Sequence, residues 1–335
     1  MSDLDVRQTQ PVSIQRWAAV GTGMISRSLV PDLMACDGAE VVVVQSRDRE
    51  KASRFAEEFG IPSSTHEFAS ILADDSIDAV YLATPIATHF EMTRDALRAG
   101  KHVLVEKAIA TSATEAAKLF DIASSERRFL MEAMWMKFNP AFLRLQAEIA
   151  AGTIGEPRNL RAGFSIPWPK EGGSRWQPPG GGALLDQGIY PVTLAHSIFG
   201  VPEFVSARGT VQPGGVDLAE QVTLEFGDGR FAHFTTGMLE FTDCSAAVAG
   251  MTGWITLPSP FWATTNLDIH AGSIEAIFGN PDRVTIQREG NGYVPMLREV
   301  VDAISRGLLE HPQHSAADTL SVFRTIDAIS DQLKS

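Results

Sequence analysis

Apolar residues in the first 135 positions fall into short unbroken runs separated by helical stripes. Trp17-Ala18-Ala19-Val20, Val41-Val42-Val43-Val44, Ala79–Ala83, Val103-Leu104-Val105 and Phe129-Leu130-Met131 lack polar alternation, as strands covered on both faces require. Between them lie a helical pattern through Leu29, Leu33 and Met34, a charged helix opening at Arg47–Lys51, and a helix over Thr88–Ala99 stopped by Gly100. Ser112-Ala113-Thr114-Glu115 is a capping box, so a further helix runs toward Ser125. This strand–helix alternation predicts a doubly wound parallel sheet with ligands at the carboxyl ends of its strands. Gly21–Ser26, Thr84, Lys107 and Glu132 all fall at that edge.

The pattern changes after Asn139-Pro140, which opens a helix ending at Gly152. Val222–Phe226, the turn Gly227-Asp228-Gly229 and Phe231–Phe234 read as a hairpin with alternating faces. Further strands are expected around Arg158–Ser165, Phe204–Val211, Ser245–Ala249, Trp254–Leu257 and Leu267–His270. Together they make a mostly antiparallel, open-faced sheet, and a symmetric partner is the economical cover for its second face. Val294–Ile304 and Ala316–Leu333 are amphipathic helices. The reading is an α/β domain over residues 12–134 and an α+β domain over 135–314, with the final helix, 315–333, returning to the first. A chain of 335 residues exceeds the usual single-core limit, so two domains are in any case the default.

Composition narrows the ligand. A net charge of −13 argues against nucleic acid or an anionic membrane, since both need clustered Lys and Arg. A small molecule is expected. The two cysteines, Cys36 and Cys244, have no spacing that suggests a disulfide scaffold or a zinc site, which suits a reducing cytoplasm. No run of about 18 apolar residues occurs, and Met1–Gln15 reads as a short disordered tail rather than a signal peptide.

Two glycine-rich stretches carry the chemistry. Gly21-Thr22-Gly23-Met24-Ile25-Ser26 sits between a strand and a helix, where Gly21 permits a tight turn, Gly23 lets a pyrophosphate approach, and the helix start supplies amide donors. Ser26 stands in place of a third glycine. At the end of the second strand, where NAD-binding folds place an acid for the ribose, Ser46 and Arg47 suit a 2′-phosphate and hence NADP over NAD. The alternative makes Arg47 one member of the solvated run Arg47–Lys51. The second stretch, Gly180–Pro191, lets backbone approach a ligand and, if helical after the glycines, sets Asp186 and Tyr190 on one face.

With these pieces placed, the chain resembles the Gfo/Idh/MocA family of NAD(P)-dependent oxidoreductases over nearly its whole length. Gly21–Ser26, Thr84-Pro85 with His89, Ala99–Lys107 and Gly181–Tyr190 occur in the family's order and spacing. Within the family the likeness is to dimeric dihydrodiol dehydrogenases and neighbouring sugar ketoreductases, carried by Phe129–Trp135 and Tyr190; most inositol dehydrogenases have His at that place. The resemblance implies an N-terminal Rossmann domain and cofactor contacts from Gly21, Thr22, Gly23, Met24, Ile25, Ser46, Arg47, Thr84, Pro85, His89, Glu106 and Lys107. It places Trp135, Phe164, Trp262, Asp186 and Tyr190 around the substrate. One departure is Ala108, where the family has proline; a non-proline peptide costs about 2.5–4 kcal/mol in the cis form, so trans is expected.

The implied catalytic group is Lys107, Asp186 and Tyr190. A free phenol titrates near about pH 10, and an adjacent ammonium is expected to favour its ionised form. Tyr190 would then pass a proton to or from the substrate oxygen, with Lys107 beside it and Asp186 orienting the substrate hydroxyl and holding Lys107; Lys107 as the donor is the close alternative. Nothing here asks for a metal. The expected activity is hydride transfer on a sugar, a sugar-derived ketone or a cyclic diol. A nucleotide-sugar 3-ketoreductase is the variant reading, resting on Arg158, Arg161 and Arg175 as a diphosphate site, and a cofactor-sensing regulator is the reading from another class.

Overall fold

The computed structural model describes residues 14–170 and 173–334. The first layer system runs β1 Gln15–Val20, α1 Met24–Met34, β2 Ala39–Gln45, α2 Arg49–Phe59, β3 Ser63–Thr65, α3 Phe68–Leu72, β4 Ala79–Leu82, α4 His89–Arg98, β5 His102–Val105, α5 Ala113–Glu126 and β6 Leu130–Glu132. Its six strands pair in parallel in the order β3-β2-β1-β4-β5-β6. The apolar runs form the centre of the sheet because helices cover both faces: Trp17, Val20, Val44, Tyr81 and Leu104 are fully buried. Each large apolar side chain so buried contributes about 1.5–3 kcal/mol.

Helix boundaries follow local chemistry. Asp48 caps α2 by accepting from the amides of Glu50 and Lys51, and Gly60 ends it in the left-handed region. Ser112 caps α5, and Glu115 reaches back to the amide and hydroxyl of Thr111. Two expectations need correction. The short strand β3 had no signal, since Ser63-Ser64-Thr65 is polar and gains its place by pairing with β2. Gln15 is not tail: it opens β1, is buried, and donates to the Val301 carbonyl (2.8 Å) and to Ser305 (3.0 Å). The remainder of the expected tail, residues 1–13, lies outside the described residues.

The second system comprises α6 Pro140–Ala150, β7 Pro157–Ser165, α7 Ile189–Phe199, β8 Phe204–Val211, β9 Asp217–Phe226, β10 Arg230–Gly237, β11 Ala246–Gly250, β12 Gly253–Leu257, β13 Asn266–Ala271, α8 Ile274–Ile277, β14 Asp282–Thr285, α9 Val294–Ser305 and α10 Ala316–Lys334. Eight strands pair in the order β14-β13-β12-β11-β7-β10-β9-β8, antiparallel except for β7 with β10. The β9–β10 turn is tight because Asp228 and Gly229 both adopt positive φ, 63° and 71°. Helices α7 and α10 lie on one face of this sheet. On the other, Arg161, Ser206, Arg208, Gln221 and His233 are exposed.

Helix α10 joins the two systems. Asp327 accepts from the Ala113 amide at the start of α5 (3.0 Å), while Gln332 brackets the β8 backbone at Ala207 and Val205. The return of the last helix is therefore a bridge rather than a simple addition to the first sheet.

Candidate active site

The cofactor cradle lies where the parallel sheet reverses its order, between β1 and β4. Gly21 follows β1 with φ +107°, and a Cβ there would meet the Ala83 carbonyl oxygen at 2.4 Å, so only glycine makes this turn. Nothing lies within 4 Å of a Cβ built at Gly23, which caps α1 without any side-chain bond to its amides. An open space before uncapped helix amides fits a pyrophosphate. Thr22 and Ile25 are half-buried, Met24 is exposed, and Ser26 is fully buried behind them. Arg47 stands at the end of β2, outside α2, exposed and with no hydrogen bond or ion pair among the described residues. Ser46 accepts weakly from the Asp48 amide (3.4 Å).

On the β4 side, Thr84 and the exposed Pro85 lead into the turn before α4. His89 is buried, with Nε2 2.7 Å from the Thr84 carbonyl and Nδ1 2.8 Å from the Ala108 carbonyl. It thus ties the cofactor edge to the Lys107 segment. Burial lowers the His89 pKa, with the two carbonyls opposing. The Lys107–Ala108 peptide is cis, contrary to the trans form expected from alanine; Ala108 is fully buried and its carbonyl is held by His89, so tertiary contacts decide the geometry.

Lys107 projects from the end of β5 to the second domain. Its Nζ donates to the Asp186 backbone oxygen (2.6 Å) and to Asp186 Oδ1 (2.9 Å), while Arg175 Nε donates to Asp186 Oδ2 (2.6 Å). Burial raises the Asp186 pKa, but Lys107 and Arg175 together outweigh it and hold the carboxyl below its usual range. Asp186 lies in a π-helical turn, Leu184–Gly188, that runs into α7. The bonds of such a turn span five residues rather than four, and the two side chains expected to share one face find different partners. Asp186 turns to the two cations, whereas the Tyr190 hydroxyl accepts from Trp135 Nε1 (2.9 Å).

Tyr190 is buried under an aromatic wall. Phe164 stacks on Trp262 with centroids 3.6 Å apart, and Tyr190 lies 5.6 Å from Phe164 and 5.8 Å from Trp262. Trp135 packs on Tyr293 at 4.5 Å. Lys107 Nζ stands 5.3 Å from the centre of the Tyr190 ring, over the π face rather than at the oxygen. The expected lowering of the phenol pKa is not found. Burial raises it, the Glu106 carboxyl adds to the rise, and the Trp135 bond opposes only in part. Glu106 itself, buried and hydrogen bonded by Tyr81 (2.8 Å), is pushed up to about 7, chiefly by burial, with Tyr81 and Lys107 opposing.

The structure therefore gathers Lys107, Asp186, Tyr190, Trp135, Phe164 and Trp262 at one place, with Glu106 behind them. Tyr293 joins this group without having been assigned to it from the sequence, and Arg175, expected only in a diphosphate site, joins it through Asp186. The three arginines expected as a diphosphate site do not meet. Arg158 is paired with Glu156 and the Asp228 carbonyl, Arg161 is exposed on the outer sheet face, and only Arg175 reaches Asp186.

Sequence comparison decides the lineage of this arrangement. Residues 15–134 match the model of the oxidoreductase family with NAD-binding Rossmann fold, and residues 142–256 match the Gfo/Idh/MocA C-terminal domain. The human trans-1,2-dihydrobenzene-1,2-diol dehydrogenase is 31% identical over 301 residues, covering 89% of this chain and 90% of that protein. This chain belongs to the Gfo/Idh/MocA oxidoreductase family. The Xenopus tropicalis dihydrodiol dehydrogenase is 29% identical over 322 residues, covering 95% of this chain and 98% of its own. Among solved structures, a 3-ketoreductase from Actinomadura kijaniata in complex with NADP and TDP-benzene superposes with a TM-score of 0.86 at 30% identity, covering 96% of this chain and 98% of that one. As a member of the family the chain is an NAD(P)-dependent oxidoreductase. No helix among the described residues is long and apolar enough to cross a membrane.

Proposed function

We propose that this oxidoreductase uses NADP(H) to interconvert a hydroxyl and a carbonyl on a cyclic diol, a sugar or a sugar-derived ketone. The observation that carries the reading is the Lys107–Asp186 pair set beside Tyr190 beneath Phe164 and Trp262, at the carboxyl edge of a dinucleotide-binding sheet. The relatives named for dihydrodiols and the ketoreductase solved with NADP support it. When bound, the cofactor supplies or takes up the hydride.

The chain's own residues manage the proton. Trp135 donates to the Tyr190 oxygen, so the phenol's own hydrogen is free to face a substrate oxygen. With its pKa raised, Tyr190 stays a neutral phenol at working pH and acts as the donor when a carbonyl is reduced. Lys107 offsets the negative charge that develops on the substrate and phenol oxygens, and Asp186 holds Lys107 in place by two bonds. The stacked rings of Phe164 and Trp262 take the apolar face of the substrate. In oxidation the same groups run in reverse. Residues to 134, Lys107 apart, serve the cofactor and those from 135 the substrate.

Arg47, unpaired at the end of β2, supports NADP over NAD by offering a guanidinium to a 2′-phosphate. A homodimer through the exposed face of the eight-stranded sheet supplies the missing cover, and the two buried free thiols, Cys36 and Cys244, suit a cytoplasmic setting. The test is a panel of cyclic diols, aldoses, inositols and dicarbonyls with both cofactors. Turnover of a diol or sugar class with NADP(H) is expected; turnover confined to NADH, or no turnover across the panel, would overturn the reading. Binding of a nucleoside diphosphate in calorimetry would instead favour the nucleotide-sugar substrate.

A further inference from the structure

A buried carboxyl group lies beneath the turn that carries Asp186, and no step above uses it. Across the second sheet, Phe164, Thr236 and Glu220 stand directly opposite one another on β7, β10 and β9. Directly opposed residues share a face, and this is the face from which Phe164 meets Tyr190. Glu220 is 2% exposed, Thr236 is fully buried, and among the described residues neither the Glu220 oxygens nor Thr236 Oγ1 has a hydrogen-bond partner of good geometry. The π-turn sits on top of them: a Cβ at Gly188 would lie 3.4 Å from Thr236 Oγ1.

The neighbour of Glu220 is a second acid. The pairing of β8 with β9 shifts between Thr210 and Val211, so one β9 residue, Leu218, is extra. An extra residue re-aims the side chains that precede it, and Asp217 is brought round to the side of Glu220. Asp217 Oδ2 accepts from the Leu184 amide at 2.6 Å, the first residue of the π-turn. A Cβ at Gly182 would strike Asp217 Oδ1 at 2.2 Å, so the glycine loop is packed against this carboxylate. Ala183, Val216 and Met238, chain neighbours of this loop and of Asp217 and β10, form a small buried apolar cluster with Trp168, Trp176 and Leu218 packed against it. Asp217 and, more weakly, Glu240 are acids whose charges act on Glu220.

Two adjoining carboxyls, neither paired with a cation among the described residues, do not both ionise; the deeper one keeps the proton. We infer that Glu220 is a positioning residue, a neutral acid that donates to Asp217, keeps it a charged cap on the Leu184 amide, and so fixes the turn that presents Asp186 to Lys107. Burial followed by the Asp217 charge moves the Glu220 pKa well above the usual carboxylate range, in the same direction. Gln187 fastens the same turn by exchanging bonds with the Ile166 backbone (3.1 and 3.3 Å), leaving the Leu184 end dependent on Asp217. This inference rests on Asp186 and Lys107 being the reacting pair.

The test compares Glu220→Gln, Glu220→Leu and Asp217→Ala in the full-length enzyme, with NADPH fluorescence as the measure of intact folding and cofactor binding. Displacing a reacting group by about 1 Å costs up to about a hundredfold in rate. Glu220→Gln, still a neutral donor, is expected within about threefold of wild-type kcat, and Glu220→Leu at least about tenfold lower with KM little changed. Amide exchange in residues 183–188 should quicken in the leucine variant and not in the glutamine variant. Wild-type kcat and protection in Glu220→Leu, or an equal loss in Glu220→Gln, would overturn the inference. If the leucine variant fails to bind NADPH, the partly exposed Asp217→Ala decides: a drop in kcat with retained binding supports the account, and wild-type kcat overturns it. Asp186→Asn separates the two claims. Full turnover in that variant would defeat the catalytic reading itself, whereas an inactive Asp186→Asn beside an unaffected Glu220→Leu would defeat only the role given to Glu220.

Discussion

Replacing Glu106 by glutamine removes a buried charge from behind the site, and the structure sets the size of the effect. Glu106 is 6% exposed, receives a bond from Tyr81, and titrates near about 7 rather than 4.5 because burial outweighs the help of Tyr81 and Lys107. A carboxyl whose folded pKa is raised binds its proton more tightly in the native state than in the unfolded chain. Stability is therefore full below about pH 4.5 and declines as pH rises to about 7, where the native group finally ionises. At about 1.36 kcal/mol for each pH unit, that window is worth about 3 kcal/mol. Urea unfolding of the cofactor-free protein at intervals from pH 4 to 8 measures it. Wild type should lose about 3 kcal/mol more across the range than Glu106→Gln, which has nothing to ionise. Parallel pH dependences for the two proteins would refute the reasoning.

Arg47→Ser should weaken NADPH binding by about ten- to a hundredfold, the worth of a charge-assisted bond of about 1.5–3 kcal/mol, and leave NADH unchanged; equal effects on both cofactors in a fluorescence titration would remove Arg47 from the 2′-phosphate site. Gly182→Ala forces a Cβ onto Asp217 at a φ of +120°, so chemical denaturation should show a loss of at least about 2 kcal/mol, and a variant as stable as wild type would contradict the packing described.

Much of the site was legible because the topology supplies its addresses. In a doubly wound sheet the ends of β1, β4 and β5 meet at one edge, so Gly21, Thr84 and Lys107 were placed once the strands were. The strands themselves were read from apolar runs, and β3 escaped because its residues are polar and owe their strand to β2. Residues delivered by loops were less accessible. Arg175 and Tyr293 reach the site along paths set by tertiary packing, which leave no periodic mark. The π-turn looks like ordinary helix in sequence, and so it left no signal of its own. The Tyr190 pKa was misjudged for an energetic reason: the ammonium and its hold by Asp186 were foreseen, but not that burial and Glu106 would decide the balance at the phenol. Ala108 shows the same override, with burial and His89 deciding a peptide geometry that alanine alone disfavours.

The measurement closest to the central claim is a single-turnover experiment on Tyr190→Phe, mixing the NADPH-loaded variant with a carbonyl substrate and following nicotinamide absorbance. Phenylalanine keeps the ring against Phe164 and Trp262 and deletes only the hydroxyl that Trp135 holds. The account predicts wild-type NADPH affinity and a chemical step slowed by about a hundredfold or more, the usual scale for loss of a positioned proton donor. A wild-type rate of nicotinamide oxidation in that variant would contradict it and pass the proton to Lys107.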